Sequence, residues 1–225
     1  MRLIVVMLCC LASLAQAGLD FPEILKEVRA DASADKVTAD FPFTNQSDKA
    51  VTVSHYDSTC SCMSVQITGG KTRYEPGESG VIRTQFDMGY FSGTVDKVVV
   101  VWLDDAPEDE PSVTLTVRVH IPVLVAMTPK TLKWEMAGKG EPQTIEIRMN
   151  HSEPIKVKSV TGSSEAFGYQ LETIEEGKSY DLVVTPKTLD APALGIFRVE
   201  TDCELEKHRI QQAFGVIRRA TAEGK

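Results

Sequence analysis

Residues 98 to 121 read VVVVWLDDAPEDEPSVTLTVRVHI. The first six form a continuous apolar run rich in β-branched valine, the pattern of a strand buried on both faces. From Val113 the pattern alternates. Val113, Leu115, Val117, Val119 and Ile121 fall on one face, and threonine, arginine and histidine fall on the other. That period of two marks a half-buried strand. Between the runs lies Asp104 to Pro111, an acidic, proline-bearing segment that breaks regular structure and reads as a loop.

The same signals recur on both sides. Val51 and Val53 alternate with polar neighbours. So do Ile145, Ile147 and Met149; Ile155 and Val157; Phe167, Tyr169 and Leu171; and Tyr180, Leu182 and Val184. Short strands separated by Gly, Pro, Asn and Asp predict an all-β, immunoglobulin-like sandwich architecture. One stretch, Phe21 to Arg29, fits a short helix with Pro22 in its first turn. It fits the approach to a first strand equally well.

A weak internal repeat divides the chain. Asn45-Gln-Ser leads into Lys49-Ala-Val-Thr-Val, and Asn150-His-Ser leads into Pro154-Ile-Lys-Val; Gly93 and Gly195 each open a later strand. Two copies of one sandwich account for this better than a single large one, with domains at 18–126 and 127–225. Thr128-Pro-Lys-Thr-Leu132 recurs as Thr185-Pro-Lys-Thr-Leu189 out of phase with that repeat, so the two are read as similar strand exits.

The first 17 residues carry Arg2, an apolar run from Leu3 to about Leu14 and an Ala15-Gln16-Ala17 ending, the order of a cleaved signal peptide. The run is shorter than the roughly 20 residues needed to span a bilayer. The expected location is therefore the periplasm, the cell surface or the medium. A net charge of -8 with no basic run argues against nucleic acid as a partner.

The stretch from Phe41 to Phe86 contains Phe41-x-Phe43-x-Asn45, then Cys60-x-Cys62, then Pro76-Gly77-Glu78-Ser79-Gly80, and a strand led by Gly93 follows. This order resembles the family known as domain of unknown function 1573, exported bacterial proteins related in fold to the major sperm protein and cilium-associated immunoglobulin-like domains. The resemblance covers about residues 20 to 125 and implies a fold and an export route, with no established reaction. The second half lacks both Cys-x-Cys and Pro-Gly-Glu. Most of these motif residues have structural readings. Phe41 and Phe43 share one strand face and fill the core. Asn45 holds a turning backbone, Pro76-Gly77 is a turn, and Gly93 opens a strand where a side chain does not fit. Asn45-Gln-Ser47 and Asn150-His-Ser152 match the N-glycosylation pattern and are read as turns.

Cys60 and Cys62 are the residues that suggest chemistry. In an extended strand their Cα atoms would lie about 6.6 Å apart on one face, near the upper limit for a disulfide. A bond between them would need a bend and would be easily reduced. Two thiolates on one face also suit Cu(I), with His55 and Met63 as further candidate ligands. A third reading makes both cysteines structural, as buried apolar groups or a local disulfide. Cys203 is expected to be a buried free thiol.

No nucleophile elbow, phosphate-binding loop or zinc-protease motif occurs, and a non-enzymatic envelope interaction module is expected. The Val113–Ile121 strand is the expected docking edge for an extended partner segment. A chaperone-like alternative needs basic residues to grip a carboxylate, for which Arg118 and Lys130 are the candidates.

Overall fold

The computed structural model describes residues 18–104 and 106–219. The expected signal peptide, 1–17, lies outside the described residues, as does Asp105. Among the described residues no helix is long and apolar enough to cross a membrane.

The chain is almost entirely strand, and it divides into two compact units. The first comprises residues up to Ala30, Ala34–Met88 and Thr94–His120; the second comprises Asp31–Ser33, Gly89–Gly93 and Ile121 onward. The first contains β1 (Leu19–Asp20), β2 (Leu25–Arg29), β3 (Lys36–Asn45), β4 (Val51–Ser58), β5 (Met63–Ile67), β6 (Arg73–Tyr74), β7 (Ser79–Asp87), β8 (Gly93–Leu103) and β9 (Val113–Ile121), the last two each lending one end residue to the second unit. One sheet has the order β1-β3-β7-β5, the other β2-β9-β8-β4-β6.

The second contains β10 (Val125–Thr128), β11 (Thr131–Glu135), β12 (Gln143–Met149), β13 (Val157–Gly162), β14 (Phe167–Glu175), β15 (Ser179–Pro186), β16 (Ala193–Thr201), a one-turn helix α1 (Glu206–Arg209) and β17 (Ile210–Arg218). Its sheets run β10-β12-β15-β14 and β11-β17-β16-β13. Apart from the two-residue β6, the strand orders of the two units are identical. Asn45 and Asn150 stand at the ends of the corresponding strands β3 and β12, but only Gly93 opens its strand; Gly195 is the third residue of β16. The two Thr-Pro-Lys-Thr-Leu segments sit at different places in the topology, one between β10 and β11 and the other leaving β15.

The alternating residues are the cores. Phe41, Phe43, Ile82, Phe86, Leu115, Val117 and Val119 are buried in the first unit. Ile145, Ile147, Tyr180, Leu182, Val184 and Phe197 are buried in the second. Two strand expectations need correction. Val98–Leu103 is not buried on both faces: Val99 and Val101 are, while Val98, Val100 and Trp102 are half-exposed. In β14 only Phe167 is buried and Tyr169 is 41% exposed, because β14 is a sheet edge. The helix alternative at Phe21–Arg29 gives way to strand β2, which pairs in parallel with β9, Leu25 opposite Thr116 through Arg29 opposite His120.

That pairing removes the expected docking edge. β9 lies between β2 and β8, so its backbone groups are already engaged on both sides. Alternation identifies which face of a strand is buried, not which strands flank it.

Candidate functional site

Asn45 ends β3 fully buried, and every polar atom of its side chain is used. Nδ2 donates to the Lys49 carbonyl (2.7 Å) and the Tyr74 carbonyl (2.8 Å); Oδ1 accepts from the Ser47 amide (3.0 Å) and hydroxyl (2.7 Å). Its backbone carbonyl accepts from the Gly77 amide at 2.8 Å. One side chain thus ties the turn after β3 to the segment before β7. The glycosylation pattern here is a turn, with the amide nitrogen sealed in the core.

Glu75 to Glu78 is a β-turn closed by the Glu78 amide on the Glu75 carbonyl at 3.0 Å. Pro76 takes the second position and Gly77, at φ +80°, the third, the arrangement of a type II turn. Gly93 has the backbone reason rather than the steric one. Its φ is +77°, and the nearest atom to an added Cβ would be Val123 Cγ2 at 3.9 Å. Sequence reading missed the second unit's counterpart of the first turn. Glu175 to Lys178 closes in the same way, with Gly177 at φ +74°. The glycine and its flanking residues were the available signal; the proline was not needed.

Cys60 and Cys62 form a disulfide, with Cα atoms 5.2 Å apart. The expected strand spacing is not reached because residues 59–62 are a turn joining β4 to β5. Hydrogen bonds shape this turn without the sulfurs. The Met63 amide donates to the Cys60 carbonyl, the Asp87 amide to the Cys62 carbonyl, and the Ser58 hydroxyl to the carbonyls of Cys60 and Met63. Both cysteines are half-buried. Cys62 lines an open cavity of about 180 Å³ together with Lys36, Ser61, Met63, Ser64, Gln85 and Asp87.

Of the other proposed ligands, Met63 is largely buried but borders the Cys62 cavity. His55 packs against Trp102 with ring centroids 5.0 Å apart and planes tilted by 43°, and lines a separate cavity with Ser54, Ala106 and Glu108. A disulfide offers no thiolate, so the Cu(I) reading applies only to the reduced form. Cys203 is a buried free thiol, as expected.

The two cations of the chaperone-like reading part company. Arg118 is spent in a two-pronged pair with Asp96, Nε to Oδ1 at 2.8 Å and Nη2 to Oδ2 at 2.7 Å. That pairing holds the Asp96 carboxyl below its usual range and raises the guanidinium. Lys130 instead lines a groove of about 500 Å³ in the second unit with Arg198, Gln212, Phe214, Ile210 and Tyr90. Arg198 lies opposite Gln212 on neighbouring strands, and the Phe214 amide donates to the Lys130 carbonyl at 2.8 Å. The two cations therefore flank β17 from either side, about two strand spacings or roughly 10 Å apart along the backbone. Neither has an ion-pair partner among the described residues. They are distant in sequence, so only the sheet order brings them together.

Among solved structures, the chain is similar to a protein of unknown function from Porphyromonas gingivalis W83, at 13% identity over 88% of this chain and 98% of that one, with a TM-score of 0.34. It is similar to the Escherichia coli chaperone DraB, at 11% identity, 88% and 96% coverage and a TM-score of 0.34. It is also similar to the Vibrio cholerae VesB protease, at 15% identity, with 45% of this chain matching 31% of the protease and a TM-score of 0.38. The chain thus spans under a third of that protease. No curated protein matches the sequence. The stretch that holds the buried asparagine, the Cys-x-Cys turn and the Pro-Gly turn does match a known family: residues 23–120 fit the family described as protein of unknown function (DUF1573).

Proposed function

We propose that this is an exported, non-enzymatic interaction module that takes up an extended segment of a protein partner on an open sheet edge. The observation that carries this is β14. It is nine residues long, whereas the other edges of the four sheets run from two to six. It pairs only with β15 and leaves its other side open. Natural edges are commonly blunted by lysine or proline. β2 carries Lys26 and Arg29, β11 carries Lys133 and β13 carries Lys158; β14 (FGYQLETIE), like the shorter β5 and β10, has no lysine, arginine or proline, and its pairing is regular from Phe167 to Thr173 before a register shift at Glu175. Its solvent side presents Gln170, Glu172 and Ile174.

Main-chain hydrogen bonds along such an edge supply affinity, and side chains at alternate positions supply choice. Photo-crosslinkers placed at Gln170 and Glu172 should capture a partner from an envelope extract, and one at Thr116 in the interior β9 should not. Pairing Ile174→Lys with Gln170→Pro should weaken that capture at least about ten-fold, since several bonds of roughly 1 kcal/mol each are lost. Unchanged capture in the double variant, with an intact circular dichroism spectrum, refutes the edge.

A second reading rests on Lys130 and Arg198. Two unpaired cations beside Phe214 and Ile210 suit a carboxylate with an apolar neighbour. N-acetylphenylalanine should shift the amide resonances of Gln212 and Phe214, and its amide should not. Lys130→Gln with Arg198→Gln should abolish the shift. Equal shifts from acid and amide would remove the cations from the account.

A further inference from the structure

We infer that the Cys60–Cys62 disulfide is a thiol–disulfide exchange site that accepts two electrons from a dithiol. The internal repeat supplies a control. In the second unit, residues 163–166 make the equivalent connection, from β13 to β14, with Ser-Ser-Glu-Ala. There the Phe167 amide bonds to the Ser164 carbonyl, as the Met63 amide does to Cys60, and the Ser163 hydroxyl accepts from the Ile196 amide at 2.9 Å. The same fold crosses between its sheets at the same place without a disulfide.

The ring is also too small to act as a staple. Closing three residues removes little freedom from an unfolded chain, and the loop-closure relation gives about fifteen-fold on the unfolding equilibrium. A loop of about 100 residues would give a few thousand-fold on the same relation. Linkage makes this reciprocal: the fold can protect the bond from reduction by no more than the bond stabilises the fold. A bond so weakly coupled to folding stays open to exchange while the protein remains native.

Access agrees with this. Both cysteines are half-buried at the entrance to edge strand β5, and Cys62 opens on a cavity lined by Lys36 and Asp87, whose opposite charges offset one another. The thiolate of an incoming dithiol attacks Cys62 Sγ. The Cys60–Cys62 bond breaks, its electron pair leaves on Cys60 as thiolate, and a mixed disulfide forms at Cys62. The second thiol of the partner loses its proton and attacks its own first sulfur, releasing the Cys62 thiolate. Overall the dithiol becomes a disulfide and gives up two protons, and the Cys60–Cys62 bond takes up two electrons.

The test uses the chain from Gly18 onward, whose cysteines are Cys60, Cys62 and Cys203, with dithiothreitol as probe, then acid quench, alkylation and intact mass. Stoichiometric dithiothreitol under native conditions should add two alkyl groups, with Cys203 unmodified until the protein is denatured and the circular dichroism unchanged. With single variants, Cys60→Ser should form a mixed disulfide with oxidised glutathione faster than Cys62→Ser, because Cys62 lines the cavity. The double serine variant should fold and lose at most about fifteen-fold in its unfolding equilibrium. A bond that resists excess dithiothreitol until denaturation, or a double variant that does not fold, overturns the inference and makes the pair a structural staple.

Discussion

Replacing Asn45 with alanine is expected to destabilise the first unit by about 3 to 5 kcal/mol. The substitution deletes four side-chain hydrogen bonds at once. It takes the side-chain partner from the Tyr74 carbonyl and the Ser47 amide, in a place where Asn45 itself has no solvent exposure, while the Lys49 carbonyl keeps the Ser47 hydroxyl. Each stranded buried group costs about 1 to 3 kcal/mol, and water entering the small cavity recovers part of the sum. Asn45→Asp separates hydrogen bonding from size. It keeps the acceptor for Ser47 but turns a carboxylate oxygen on two carbonyls, so at neutral pH it should cost at least as much as alanine. Urea unfolding followed at Trp102 in a Trp134→Phe background reads the loss directly. A change below about 1 kcal/mol would mean that neighbouring turns replace the asparagine freely.

The second large effect is expected at Gly80→Ala, about 3 kcal/mol against folding. The reason is crowding, not backbone freedom. A Cβ at residue 80 would stand 2.5 Å from Phe43 Cζ, 2.6 Å from the Tyr74 hydroxyl and 2.7 Å from Tyr74 Cε1. Neither ring can retreat. Both are almost wholly buried, they pack edge to face at 4.8 Å, and the Tyr74 hydroxyl is anchored on the Lys71 carbonyl at 2.6 Å. Burial also raises the Tyr74 pKa, so ionisation cannot ease the crowding near neutral pH. A cost of this size lowers the thermal midpoint by about 12 to 24 °C for a unit of roughly 100 residues. Gly80→Ala combined with Phe43→Leu should recover part of the loss. An equal midpoint in the single and double variants would place the clash elsewhere.

The legible part of this molecule was its inner faces. Alternation identified Leu115, Val117, Val119, Ile145, Ile147, Leu182 and Val184 as core, and the recurrence of Asn, though not of Gly, falls at corresponding strand ends. Phe41 and Phe43 are buried, Asn45 bonds the turn after β3, and Pro76-Gly77 occupy the centre of a turn. Neighbours in the sheets were not legible. The flanking of β9 by β2 depends on a parallel pairing between segments far apart in the chain, so the reading of Val113–Ile121 as an open edge failed. The same cause hid the pairing of Lys130 with Arg198 and the release of Arg118 from any binding role. The disulfide turn was obscured by a spacing of two, which reads as strand unless the turn bonds of Cys60 and Met63 are known.

The parallel pairs set the order in which the protein can fold. Leu25 opposes Thr116 and Thr131 opposes Phe214, so each unit is closed by a pairing that spans about 80 to 90 residues, the long-range kind that slows folding. During synthesis β2 waits without a partner until β9 has emerged. Until they meet, β9 is an alternating apolar strand with one bare side, open to pairing with another chain. A chain cut after Arg29 would keep that vulnerability permanently, and aggregation of such a fragment would originate at β9.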